Sequence, residues 1–76
     1  MERFAKLFET LSKRLENDET FALRMQMAGE GKFKDFHGEN EIPALREFLE
    51  HAEKQDVQDI VIRDAEARES VVSEMV

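Results

Sequence analysis

The sequence predicts a small α+β domain, and three patterns carry that expectation. Phe4, Leu7, Phe8, Leu11 and Leu15 recur at helical spacing near the start. Phe21, Leu23, Met25 and Met27 then alternate with Ala22, Arg24 and Gln26, the two-residue rhythm of a half-buried strand. Later, Ile60-Val61-Ile62 is a β-branched run of the kind that fills a central strand buried on both faces. The full expectation is helix, β-hairpin, helix, strand, helix in one domain spanning residues 1–76. The alternative is an all-α small helical bundle in which residues 19–28 and 57–75 are helices, because Met, Leu and Ala favour helices.

The first helix is expected over about residues 2–16, with Lys6, Glu9, Lys13, Arg14 and Glu16 on its polar side and Asn17-Asp18 ending it. Gly29-Glu30-Gly31 offers a tight reversal after the alternating run. Lys32-Phe33-Lys34-Asp35-Phe36 would return as the partner strand, but Phe33 and Phe36 are three apart, so a bulge or a strand ending near Asp35 is required. His37-Gly38-Glu39-Asn40 reads as a loop. Ile42, standing before a proline, is expected to be extended, and Pro43 to open a helix over residues 43–55 with Leu45, Phe48, Leu49 and Ala52 inward. After the Ile60-Val61-Ile62 strand, Asp64 is expected to cap a final helix carrying Ala65, Arg68, Val72 and Met75.

Composition narrows the function classes. The chain has 76 residues and no cysteine, so disulfides, thiolate zinc sites and iron–sulfur clusters are excluded. The start, Met1-Glu2-Arg3-Phe4-Ala5-Lys6, is charged and unlike a signal peptide, and no apolar run is long enough to cross a bilayer. A soluble, cytoplasmic protein is expected, with no membrane partner. The 18 acidic and 11 basic side chains give a net charge of −7. Residues 1–37 hold 7 acids and 7 bases, and residues 38–76 hold 11 acids and 4 bases, so the whole excess lies in the second half. Net negative charge repels phosphate, so no direct nucleic-acid partner is expected.

Motifs for chemistry are weak. Gly29-Glu30-Gly31-Lys32 fails as a phosphate loop, since Gln26 stands where the early glycine is needed and Phe33 follows the lysine. Ser12, Ser70 and Ser73 lie in helical patterns without a glycine-flanked elbow. No catalytic residue, metal ligand or cofactor is expected, and the protein is read as no enzyme. Asp35, His37 and Glu39 alternate and would face one way in an extended chain, a minor metal-site reading. Glu47 and His51, four apart, read as a solvated helix pair. Arg24, Lys32 and Lys34 would share the outer face of the hairpin, with Phe36 as a neighbouring aromatic. Basic groups beside an aromatic suit RNA, but a solvated sheet face is preferred given the net charge.

Two binding readings follow. The preferred one is a non-enzymatic module whose acidic residues Glu39, Glu41, Glu47, Glu50, Glu53, Asp56 and Asp59 dock on a protein partner with a basic surface, as an inhibitor occupying a nucleic-acid-binding site would. In size, acidity and lack of cysteine the chain is similar to the small inhibitors carried by phages and mobile elements, including anti-CRISPR proteins. That resemblance is one of class, with no residue pattern behind it. The alternative is a homodimer or larger homo-oligomer assembling through the apolar end, with Val71, Val72, Met75 and Val76 in contact.

Overall fold

In the computed structural model, which describes residues 2–27, 31–64 and 69–72, helix α1 spans Ala5–Asn17. Its Leu7, Leu11 and Leu15 stand four apart and are all buried, with Phe4 buried just ahead of the helix. The helix starts three residues later than its apolar pattern suggests. The amides of Glu2 and Arg3 instead bond to the Glu53 carboxylate. Asp18 ends α1 in an extended conformation, and its amide closes the last turn on the Arg14 carbonyl. The Asp18 carboxylate accepts bonds from the Thr20 hydroxyl at 2.7 Å and the Thr20 amide at 3.0 Å. These bonds, the hydroxyl's above all, hold the carboxyl below its usual pKa.

The alternating run becomes strand β1, Ala22–Met27, with Leu23, Met25 and Met27 inward and Arg24 exposed. Burial of one face overrides the helical preference of Met and Leu. Strand β2 is Lys34–His37, in unbroken antiparallel register with β1 from Ala22↔His37 to Met25↔Lys34. That register resolves the Phe33–Phe36 conflict without a bulge. Phe36 sits opposite Leu23 and is buried, while Phe33 precedes the strand and is left outside. The expected reversal at Gly29–Gly31 lies mostly on residues 28–30, outside the described residues.

Gly38 follows with φ 81 and ψ 164, a backbone conformation open to glycine and strained for other residues. A 3-10 turn at Glu39–Glu41 runs straight into helix α2, Ile42–Lys54. Ile42 is therefore helical (φ −58, ψ −44) rather than extended. Its amide bonds to the Glu39 carbonyl of the preceding turn and its side chain packs on the core. Pro43 occupies the first turn, where a missing amide hydrogen costs nothing. Helix α2 ends in a Schellman arrangement. The Val57 amide reaches the Ala52 carbonyl at 3.0 Å and the Asp56 amide reaches the Glu53 carbonyl at 3.1 Å. Asp56 takes the left-handed position, at φ 53, that glycine usually fills.

Strand β3 is Ile60–Asp64 and strand β4 is Glu69–Val72. This corrects two expectations. Asp64 ends a strand, opposite Leu23, and does not cap a helix. The expected final helix gives way to β4 over Glu69–Val72, where Val72 and Val71 pair with Ile60 and Val61. β-branched residues on both strands favour that ladder over an isolated helical turn. The remainder of the expected helix, 65–68 and 73–76, lies outside the described residues. The all-α alternative fails at the same places.

The sheet has order β2-β1-β3-β4, every neighbouring pair antiparallel. Leu23, Met25, Met27, Phe36, Ile60 and Ile62 face the helices and join Phe4, Leu7, Leu11, Leu15, Leu45, Leu49 and Ala52 in one core. Phe36 meets Phe48 of α2 edge to face, with ring centroids 5.8 Å apart. Both helices thus cover one face of the sheet. β3 is interior in strand order but buried on that face alone, for Val61 is only half-buried. Among the described residues no helix is long and apolar enough to cross a membrane.

Candidate functional site

The acidic residues singled out by sequence separate into two groups. Glu39 and Glu41 lie in the 3-10 turn and Glu47 and Glu50 on the solvent side of α2, along one continuous helical segment. Glu47 and Glu50 share a shallow, solvent-open depression with His51, Glu53 and Lys54. Arg46 donates to Glu50 at 2.9 Å, an exposed pair one helical turn apart.

Glu53 and Asp56 have structural tasks. Glu53 sits on the flank of α2, where its Oε1 accepts bonds from the amides of Glu2 at 2.8 Å and Arg3 at 2.9 Å. These are orphan donors ahead of α1, and an anion there is also favoured by the helix dipole. The Arg3 guanidinium donates to the carbonyls of Val57 at 2.8 Å and Gln58 at 3.2 Å, and lies 3.7 Å from the Asp56 carboxylate. The start of the chain is thereby tied to the α2–β3 loop across some fifty residues of sequence. Asp59, in that loop, is half-buried.

Of the residues expected at an oligomer contact, Val71 and Val72 lie on β4 at the edge of the sheet. Met75 and Val76 lie outside the described residues. Asp35, His37 and Glu39 do not form a metal site. Asp35 is engaged by Arg24, His37 Nε2 lies 2.9 Å from the Glu19 carbonyl oxygen, and among the described residues no group of three His, Cys, Asp or Glu is placed to hold an ion.

The other surface of interest is the uncovered sheet face, and the sequence named only part of it. Phe36 is not there, being buried, and Lys34 shares its inward parity, with Nζ 5.8 Å from the Phe36 ring. Phe33 takes the outer position. The guanidinium groups of Arg24 and Arg63 each stand 5.7 Å from the Phe33 ring centroid. Arg24 also donates to both oxygens of Asp35, at 2.7 and 3.3 Å. That hydrogen bond holds the Asp35 carboxyl below its usual pKa and raises that of Arg24. The sequence showed the parity conflict but not which phenylalanine stands outside. Two phenylalanines three apart cannot share one face of a strand, so one had to stand outside. Arg63 could not be placed beside Phe33 without the β1–β3 register.

The chain matches no protein-family model, no curated protein and no solved structure.

Proposed function

We propose that this protein is a non-enzymatic binding module whose acidic 3-10 turn and α2 dock on a basic site of a protein partner, such as one that otherwise holds nucleic acid. The observation that carries this reading is the placement of Glu39, Glu47 and Glu50, all exposed, and the half-buried Glu41 along one helical segment, none of them part of the core. Five acids and two bases lie from Glu39 to Lys54, an imbalance that costs helix stability; Glu53 bonds the amides of Glu2 and Arg3, and Glu50 pairs with Arg46 on the surface. Glu53 and Asp56 drop out of the docking set because they hold the N-terminus and the helix end.

Charge complementarity of this kind acts mainly on the association rate and is screened by salt. The test is a pull-down from the native host with partners identified by mass spectrometry, at low and high salt, using wild-type bait and a Glu47→Lys/Glu50→Lys bait. Basic proteins captured at low salt and lost on charge reversal support the reading. Capture that the reversed bait retains in full would refute it.

A second reading, a homo-oligomer, is favoured by β4. Among the described residues no strand lies along its outer side, and an open edge is a template for pairing with another chain. Sedimentation of the full chain over a wide concentration range decides. A monomer mass throughout would refute it.

A further inference from the structure

We propose that the uncovered face of the sheet binds a short single-stranded nucleic-acid segment, with one base stacked on Phe33 between Arg24 and Arg63. Among the described residues Phe33 is the exposed large hydrophobic side chain, at 41%. It contributes nothing to the core, and an exposed ring of that size has a cost in water. It stands on the side of the sheet that neither helix covers.

The charges around it point the same way. Arg24 on β1 and Arg63 on β3 are direct cross-strand partners. Like charges facing each other across an antiparallel pair are destabilising. Asp35 offsets this at Arg24, and Glu69 is the register partner of Arg63. Both guanidinium groups also lie against the Phe33 ring, so this face gathers two cations and one aromatic ring in one place. A bound polyanion would convert the repulsion into attraction. Lys32, exposed beside Phe33, adds a third cation.

The net charge of −7 does not oppose this locally. The acids of the 3-10 turn and α2 lie in the other layer, behind the core, farther from a ligand on this face than Arg24, Arg63 and Lys32, and the Coulomb interaction falls with distance. The choice of ligand follows from the ring. A carboxylate-rich peptide would satisfy the arginines but has no use for an exposed flat aromatic between them. An unstacked base has a π-face for the ring, and its flanking phosphates suit guanidinium. A duplex keeps its bases stacked and out of reach of a flat sheet face.

The experiment is fluorescence anisotropy with labelled eight-nucleotide oligo-dT and oligo-U probes on the full-length protein. Two or three phosphate contacts on a single strand imply binding that weakens about sevenfold or more between about 0.05 and 0.2 M salt. Phe33→Ala should weaken binding by roughly tenfold or more through lost stacking. Arg63→Gln should weaken it and flatten the salt dependence. Asp35→Asn, which removes an anion from the face, should tighten it. Glu47→Lys/Glu50→Lys, altered on the opposite layer, should leave the Phe33 and Arg63 effects in place, which separates this site from the protein-docking reading. Circular dichroism confirms that each variant is folded, and Phe33→Leu keeps a hydrophobic side chain without the ring. The proposal is overturned if neither probe binds at low salt, if Phe33→Ala and Arg63→Gln bind as wild type does, or if a poly-glutamate competitor displaces the probe at lower concentration than unlabelled oligonucleotide.

Discussion

Glu53 and Glu50 stand three residues apart on α2, read alike in sequence, and should respond unequally to truncation. Glu53 Oε1 takes two amide bonds, at 2.8 Å from exposed Glu2 and at 2.9 Å from the partly buried Arg3 amide. Hydrogen bonds to a charged acceptor contribute about 1.5–3 kcal/mol when sheltered, and the exposed one falls to the lower end or beneath it. Against that, Glu53 Oε2 is buried without a hydrogen-bond partner among the described residues, and alanine gains a few tenths of a kcal/mol in helix propensity. The net loss for Glu53→Ala is about 2 kcal/mol, which in a domain of this size lowers the midpoint by roughly 10 °C. Glu53→Gln keeps an acceptor without its charge and should cost about 1 kcal/mol. Glu50→Ala removes only the exposed pair with Arg46, at 2.9 Å, and should stay within about 0.5 kcal/mol. With no tryptophan or tyrosine in the chain, the assay is urea unfolding followed by far-ultraviolet circular dichroism. Equal losses for Glu53→Ala and Glu50→Ala would show that Glu53 is ordinary surface, and its assignment as the anchor of the N-terminus would be wrong.

Three further outcomes are expected. Asp56→Gly should raise stability by about 0.5 kcal/mol, because relief of the left-handed strain at φ 53 outweighs the loss of a 3.7 Å exposed pair with Arg3; thermal melts of the two proteins decide the sign. Gly38→Ala should cost about 1–3 kcal/mol although nothing lies within 4 Å of the added Cβ, the penalty being wholly in the backbone at φ 81, and a midpoint shift under 2 °C, small against the several degrees expected per kcal/mol, would contradict it. Asp18 and Asp35 should titrate below the 3.8 of an ordinary aspartate in a carbon-detected NMR experiment. Their folded pKa values are depressed, so the stability they add is present above the unfolded value and is lost as pH falls through the folded one; Asp35→Asn should blunt that acid loss.

The α+β class, both helices and the alternating strand were legible because each buries one face at its own period. Leu7-Leu11-Leu15 and Leu45-Leu49-Ala52 repeat with the helix, and Leu23-Met25-Met27 with the strand. Residues 69–72 were not legible. Val72 and Met75 also fit a helical stripe, and only pairing with β3, a tertiary matter, selects the extended form. Ile42 was misjudged because the rule for residues before proline ignores the 3-10 turn that hands the chain to α2 already wound. In the candidate site, acid content was legible and acid roles were not. Glu47 and Glu53 look alike in the pattern of α2, and Glu53 differs only because the amides of Glu2 and Arg3 reach it across fifty residues of sequence.

Net charge therefore says less about binding than the way charge is divided among surfaces. A carboxylate matters to an approaching partner only when no internal donor engages it and when it lies within a screening length of the contact. By that criterion Glu53 scarcely counts toward the −7 that a partner meets, because two backbone amides hold it. Arg24 and Arg63 lie on the face away from α2, where Asp35 pairs with Arg24 and Glu69 is the register partner of Arg63, so the charge a ligand meets there is set by that face and not by the global excess of acid. Each surface carries its own charge arrangement, like charges along α2 in one case and facing arginines around an exposed ring in the other. Each is therefore the place at which the corresponding proposal is tested. The two must be probed separately, because a change in total charge would mix their effects.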